Sequence, residues 1–206
     1  MMVPPRIERV LFDFDGVLAH YHHERRIAHL AAYAGAEHER VREALFTSGL
    51  ETEYDGGRIS TELYLSRLGE GIARAIDEET WIASRMAGSH ADAAVLDQIL
   101  GLDAGLERGV LTNNGLLMAR AIPRIVAPIH PRIEGRVLCS GALELRKPEP
   151  RIYRLALERL GWDASHTLFV DDVFANVQGA RGVGLHAETV NDAASLRQVF
   201  RRYRLA

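Results

Sequence analysis

Cysteine is nearly absent from this chain, which has Cys139 alone among its 206 residues. A single cysteine excludes an intrachain disulfide and is typical of a reducing compartment, and we expect Cys139 to be a small buried apolar residue. Long apolar runs are absent too, since none approaches the ~20 residues that a membrane-spanning helix needs. The first residues, MMVPPRIER, lack the apolar segment of a signal peptide. We therefore expect a cytoplasmic protein without a membrane partner.

The chain also has no large excess of either charge. Lysine and arginine together number 25 and aspartate and glutamate 28, for a net charge of -3. This balance gives no global reason to bind nucleic acid or an anionic surface, so we expect small-molecule partners. Hydrophobic residues make up 47% of the chain, enough to bury one substantial core and a small second one.

Strand-like and helical segments alternate in the second half of the chain. Strands are predicted at 109–112, 136–140, 167–171 and 184–190, and helices at 92–100, 116–122, 151–160 and 176–181. This alternation indicates a parallel sheet with helices on both faces. Residues 20–101 show helical spacing and no convincing strand. We predict a Rossmann-like α/β core from residues 1–19 and 90–206, with a small all-helical cap, 20–89, inserted after the first strand.

The first strand carries the most informative stretch, RVLFDFDGVLA at residues 9–19. An apolar run is followed by Asp13, Asp15 and then Gly16. Side chains two apart on an extended segment point to the same face, so the strand's end would present both acids with Phe14 turned away. Open α/β sheets place their functional sites at this end of the strands.

Three later stretches bring polar groups to the ends of predicted strands. Thr112 and Asn113 offer a hydroxyl, an amide and backbone donors that suit phosphate oxygens. Lys147 supplies a positive charge suited to a phosphoryl group or a carboxylate nucleophile. Asp171 and Asp172 follow an apolar strand, and Mg²⁺ takes oxygen ligands from one or two carboxylates together with water and substrate oxygens.

In order, the segments DFDGVLA, LTNNG, LRKPEPRIY and FVDDVFANVQGAR resemble the four signature motifs of the haloacid dehalogenase-like hydrolase superfamily. The resemblance covers nearly the whole chain. The segments EYDGGRIS and RKPEPRIY look most like the small glucose-1-phosphate phosphatase-type branch. The resemblance implies a Rossmann-like core with a helical cap, and Mg²⁺-dependent hydrolysis of a small phosphate monoester, with a sugar phosphate as the best single guess.

The resemblance also implies a role for each motif residue. Asp13 would be the nucleophile that forms an aspartyl-phosphate, and Asp15 the general acid and then the general base. Thr112 and Asn113 would hydrogen-bond the phosphoryl group, and Lys147 would neutralise charge on it and on Asp13. Mg²⁺ and the lysine would together cancel the repulsion between two anions. The implied metal ligands are Asp13, the Asp15 carbonyl, Asp172, and Asp171 either directly or through water.

Asp15 distinguishes between reaction classes. An alkoxide leaving group needs a proton and a halide does not, so an acid at this position favours phosphate esters over the dehalogenases of the superfamily. Two alternatives stay open. A phosphomutase would pass the phosphoryl group to a second sugar, and a non-catalytic binding module would keep the fold without turnover. The complete set of motif residues argues against the binding module.

Three further features have two interpretations each. Asn176 stands where many relatives have another acid, and a neutral amide there orients a ligand without adding charge. The turn at 55–58 either reaches the leaving group or only connects two helices. A histidine cluster fits either a ligand contact or a solvated hinge, and its spacing favours the hinge: His20, His22, His23 and His29. The oligomeric state stays open, because the cap helices can bury their apolar faces on the core or on a second subunit.

Overall fold

The computed structural model describes residues 6–206, and a parallel sheet lies at its centre. Its strands are β1 (Arg9–Phe12), β2 (Ala19–Tyr21), β3 (Ser89–Ala91), β4 (Glu107–Thr112), β5 (Val137–Cys139), β6 (Thr167–Asp171) and β7 (His186–Thr189). Five of them pair in parallel in the order β5-β4-β1-β6-β7. The predicted α/β fold is confirmed, and the four strands predicted in the second half all form with small shifts at their ends.

Helices surround the sheet and also form a separate bundle. The bundle consists of α1 (His23–Ala34), α2 (His38–Arg42), a π-helical segment (Glu43–Thr47), α3 (Leu50–Asp55), α4 (Thr61–Ile72) and α5 (Glu78–Gly88). The later helices are α6 (Ala93–Leu100), α7 (Met118–Ile125), α8 (His130–Ile133), α9 (Ser140–Leu143), α10 (Pro150–Leu160), α11 (Phe174–Arg181) and α12 (Ala193–Arg202). None of the helices in residues 6–206 is both long enough and apolar enough to cross a membrane.

The central strands are buried on both faces, which explains their continuous apolar sequences. Successive residues of a strand face opposite layers. Val10 and Phe12 of β1 belong to a cluster with side chains of α6, α7 and α12, whereas Leu11 belongs to a second cluster with α10 and α11. Cys139 is buried as predicted, and burial raises the pKa of its thiol to about 12.

The prediction that residues 20–101 contain no strand is wrong. β2 and β3 form an antiparallel pair in which His20 stands opposite His90. Each strand has three residues, too few to produce a periodic pattern, and their pairing joins segments far apart in the sequence. The pair connects the sheet to the α1–α5 bundle at both ends of the insertion.

Buried aromatic and polar side chains hold the bundle together. Tyr54 and Tyr64 stack with ring centroids 4.1 Å apart, and the Trp81 indole nitrogen donates to the Tyr64 hydroxyl at 2.9 Å. Arg26 is fully buried and pairs with Glu51 at 2.6 Å. The predicted start of α4 is confirmed, because Ser60 caps it, but the helix continues to Ile72 and not only to residue 68.

Candidate active site

The carboxyl ends of β1, β4 and β6 meet at a cleft of about 550 Å³. Because these three strands are neighbours and parallel, the residues that follow them converge at one edge of the sheet. The cleft is lined by six of the residues predicted from the sequence: Asp13, Asp15, Thr112, Asn113, Lys147 and Asp172. The seventh, Asp171, is fully buried directly behind them.

Lys147 lies between two buried carboxylates. Its Nζ is 2.8 Å from Oδ1 of Asp13 and 2.6 Å from Oδ2 of Asp171. Burial raises the pKa of Asp13 to about 7, with Lys147 opposing the rise and Asp171 adding to it. Burial alone would lower the pKa of Lys147, but the two carboxylates raise it above its usual value. The lysine is therefore a fixed cation beside the predicted nucleophile.

Asp171 and Asp172 differ in what surrounds them. The oxygens of Asp171 accept hydrogen bonds from the backbone N–H of Val173 at 2.8 Å, from Nζ of Lys147, and from the Asn176 amide at 3.0 and 3.1 Å. Asp172 instead lines the cleft, where burial and Asp171 raise its pKa. The Asn176 amide thus orients a carboxylate, one of the roles considered for it from the sequence.

Three carboxylates at this edge suit a hard cation. Asp13, Asp171 and Asp172 each offer an oxygen that lies within 4.8 Å of the others. An all-oxygen ligand set of this kind fits Mg²⁺. The histidines do not form a comparable group within the described part of the chain. His20 instead contacts Asp92 at 3.3 Å beside the β2–β3 pair, while His22 and His23 line the cleft and His29 is exposed on α1.

The two acids of the first motif have different partners. β1 ends at Phe12, so Asp13 and Asp15 lie in the turn that follows it, and the prediction that they share one face of a strand is wrong. Both line the cleft, but Nη2 of Arg85 contacts the Asp15 oxygens at 2.8 and 2.6 Å. Sequence reasoning missed Arg85 because it is 70 positions away, on a helix of the bundle, and belongs to no motif.

The residues after β4 form a small hydrogen-bond network. The Asn114 amide donates to Oγ1 of Thr112 at 2.7 Å and to Oδ2 of Asp15 at 3.0 Å. The Asn113 side chain bonds the backbone of Lys147 twice, once as donor and once as acceptor, at 2.9 Å each. The Asn113 side chain therefore positions Lys147, and its contact with phosphate stays a prediction.

The turn predicted at 55–58 lies against the sheet core. Oδ1 of Asp55 accepts from the Gly115 N–H at 2.8 Å, and its carbonyl accepts from Oγ of Ser140 at 2.5 Å. The Tyr54 hydroxyl accepts from the Leu117 N–H at 3.0 Å. Burial raises the pKa of Asp55 to about 7, with the negative charge of Glu51 adding to the rise. The turn is a docking contact between the bundle and the core.

A family model of haloacid dehalogenase-like hydrolases matches residues 7–184, a span that contains every strand-end residue of the cleft. The chain belongs to this family. Membership in the haloacid dehalogenase-like hydrolases confirms the resemblance found in the sequence and the prediction of a hydrolase.

Phosphatases are among the similar proteins. A phosphatase of Mycobacterium tuberculosis is 38% identical over 93 residues, which are 45% of this chain and 42% of that protein, so the match spans less than half of each. A D-ribitol-5-phosphate phosphatase of Bacteroides thetaiotaomicron is 25% identical over 197 residues, 93% of this chain and 96% of that protein. The crystal structure of a HAD-family enzyme of the same organism in a magnesium complex has a TM-score of 0.72 at 21% identity, covering 95% of this chain and 98% of that one. That similarity agrees with the fold described above.

Proposed function

We propose that this chain hydrolyses a small phosphate monoester in an Mg²⁺-dependent reaction that passes through an aspartyl-phosphate on Asp13. The observation that carries the proposal is the cluster around Lys147. One buried cation contacts Asp13 and Asp171, and Asp172 completes the group of three carboxylates. A carboxylate nucleophile and a phosphate anion repel each other, and fixed positive charge beside the nucleophile removes that obstacle. Family membership and the phosphatases among the relatives support the same conclusion.

In the first step, the Asp13 carboxylate attacks phosphorus, and the bond from phosphorus to the leaving oxygen breaks. Lys147 favours the anionic form of Asp13 and neutralises charge on the phosphoryl oxygens. A Mg²⁺ ion held by Asp13, Asp172 and the Asp15 carbonyl would supply further positive charge. We assign the direct carboxylate contact to Asp172 and not to Asp171, because both oxygens of Asp171 already accept hydrogen bonds from protein donors.

Asp15 moves the protons of both steps. It gives a proton to the leaving oxygen, and its carboxylate then takes a proton from the water that attacks the aspartyl-phosphate. That attack releases inorganic phosphate and restores the Asp13 carboxylate. Thr112, whose hydroxyl lines the cleft, and Asn113 hold the phosphoryl oxygens during transfer.

Residues 20–89 act as a cap that selects the leaving group. A pocket of about 330 Å³ lies between the bundle and the core, beside Asp15. Its lining combines polar and aromatic side chains: Tyr21, His23, Phe46, Glu51, Thr52, Asp55 and Arg85. A small polyhydroxylated group fits such a pocket, so a sugar phosphate is the substrate class we propose. A relative that acts on D-ribitol 5-phosphate supports this class.

Phosphate release from 4-nitrophenyl phosphate and a panel of sugar phosphates, with and without Mg²⁺, tests the proposal. Asp13→Asn removes the nucleophile while keeping its shape, and Asp97→Asn, on the exposed face of α6, is the matched control. We expect Mg²⁺-dependent release by the native protein and by Asp97→Asn, and none by Asp13→Asn.

Two other results would contradict the proposal. Isomerisation of a sugar phosphate without phosphate release would identify a phosphomutase. Ligand binding without turnover by either the native protein or Asp13→Asn would identify a binding module.

A further inference from the structure

A buried arginine of the bundle contacts the acid that the proposed reaction uses for proton transfer. Arg85 lies in the last turn of α5 and is only 1% exposed. Its Nη2 lies 2.8 Å from Oδ1 and 2.6 Å from Oδ2 of Asp15. An arginine from the insertion therefore reaches across the junction and binds a carboxylate of the core.

Arg85 is itself held at several points. Its Nη1 donates to Oγ of Ser89 at 3.1 Å, and its Nε donates to Sδ of Met118 at 3.2 Å. Its guanidinium carbon stands 3.6 Å from the centroid of the Tyr21 ring, a cation–π contact. Tyr21 belongs to β2 and Ser89 to β3, so the guanidinium is fixed against both strands that connect the bundle to the core.

Asp15 is oriented from a second side by Asn114. The Asn114 amide donates to Oδ2 of Asp15 at 3.0 Å and to Oγ1 of Thr112 at 2.7 Å. A carboxylate held by two donors from different directions keeps one rotamer, whereas a free aspartate samples several staggered ones. Proton transfer needs the acid within hydrogen-bond reach of the leaving oxygen, so a fixed rotamer has a direct value for the reaction.

We propose that Arg85 is a positioning residue that aims the Asp15 carboxylate at the leaving-group oxygen. The inference rests on the proposed function, because it needs Asp15 to be the acid–base group. It adds a residue outside the four motifs and ties proton transfer to the junction between bundle and core.

The same helix supplies a contrast that separates positioning from simple fastening. At the first turn of α5, Glu79 pairs with Arg120 at 2.6 Å and with Arg124 at 2.7 Å on α7, and these side chains are about half exposed. This pair also joins the bundle to the core, but it is remote from the cleft, and exposed ion pairs contribute little to stability. Glu79→Gln therefore removes a bundle–core ion pair without touching Asp15.

The test compares two aryl phosphates of similar size. 4-Nitrophenyl phosphate has a leaving group that needs little protonation, whereas phenyl phosphate has a more basic one. The measured quantity is kcat/KM, which reports phosphoryl transfer and not the later hydrolysis. We expect Arg85→Met to lower kcat/KM about tenfold or more for phenyl phosphate and about threefold or less for 4-nitrophenyl phosphate, a part of the ~10²–10⁴-fold that general acid catalysis supplies.

Three comparisons complete the design. Arg85→Lys restores the charge and should recover part of the lost phenyl phosphate activity, while Glu79→Gln should leave the ratio of the two rates at its native value. In an Asp15→Asn background, Arg85→Met should not change that ratio further, because the residue it positions is no longer an acid. Thermal unfolding of each variant identifies those that fold.

Some outcomes would overturn the inference. Equal losses for both substrates in folded Arg85→Met and Arg85→Lys would show that the pair only fastens the bundle. The same change of ratio in Glu79→Gln would show that any loosening of the junction suffices. No turnover of either substrate by the native protein would instead overturn the proposed function, and the inference with it.

Discussion

Gly16 shows how a single position shapes the candidate metal site. Its φ is +84°, and a Cβ built there would stand 2.2 Å from Oδ2 of Asp172. A side chain is therefore disfavoured by the backbone conformation and excluded by the space. Asp172 reaches its place in the cleft because residue 16 has no side chain.

We expect Gly16→Ala to displace the Asp172 carboxylate and to raise the Mg²⁺ concentration needed for half-maximal turnover, on the order of 10–100-fold as for other disturbed ligand supports. Gly35→Ala is the matched control, because Gly35 also has a positive φ of +64° but a Cβ added there would meet nothing within 4 Å. That variant should lose roughly 1–2 kcal/mol of stability and keep the native Mg²⁺ requirement. Mg²⁺ titrations of phosphate release, together with urea unfolding, check both; equal Mg²⁺ requirements in the two variants would contradict the argument.

At the scale of elements, sequence-based prediction succeeds where a local pattern is long enough to carry information. The predicted bounds of β6 match the observed ones because five buried residues in succession form an apolar run. The three-residue strands β2 and β3 escape prediction, since they are defined by their pairing and not by composition. Arg85 escapes it for a related reason: its role follows from a contact with Asp15 that only the fold creates.

The turn that begins at Asp55 connects two elements of the bundle and also docks the bundle on the core. Burial, with the nearby Glu51, raises the pKa of Asp55 from 3.8 to about 7. Between these two values the folded protein binds the Asp55 proton more tightly than the unfolded chain does. The free energy of unfolding therefore falls as the pH rises from about 4 to about 7, and the contribution of the protonated form is lost above that.

We expect Asp55→Asn to reduce this fall, by an amount on the order of a few kcal/mol at most, because the amide keeps the acceptor for the Gly115 N–H and carries no charge. Urea unfolding at pH 5 and pH 7.5 measures the difference between the two pH values in the native protein and in the variant. The exposed Asp97→Asn should behave as the native protein does. Parallel changes in all three proteins would refute the assigned role of Asp55.

For the whole molecule, the strand order explains why one site collects so much negative charge. β1 lies between β4 and β6, so the chain brings the acids after β1 and β6 to one edge, and the α9–α10 connection adds Lys147. Asp13, Asp171 and Asp172 share that single lysine at the cluster. The raised pKa of Asp13, about 7, reflects its burial in this place, and a proton and a metal ion are alternative ways to neutralise the same carboxylates.

This competition predicts that Mg²⁺ stabilises the protein more at high pH than at low pH. The folded protein holds a proton on Asp13 below its pKa of about 7, and Mg²⁺ binding must then displace that proton; above this pH the carboxylate is already charged. A ligand that binds only the folded state raises the unfolding temperature more the more tightly it binds, so we expect the rise caused by Mg²⁺ to be larger at pH 8 than at pH 5.5. Thermal unfolding with added Mg²⁺, and again after its removal with a chelator, measures this rise without any substrate. Asp172→Asn should lose most of the rise at pH 8, while Asp97→Asn should keep it; a rise of equal size at both pH values, or one that survives in Asp172→Asn, would mean that Mg²⁺ binds outside this carboxylate cluster.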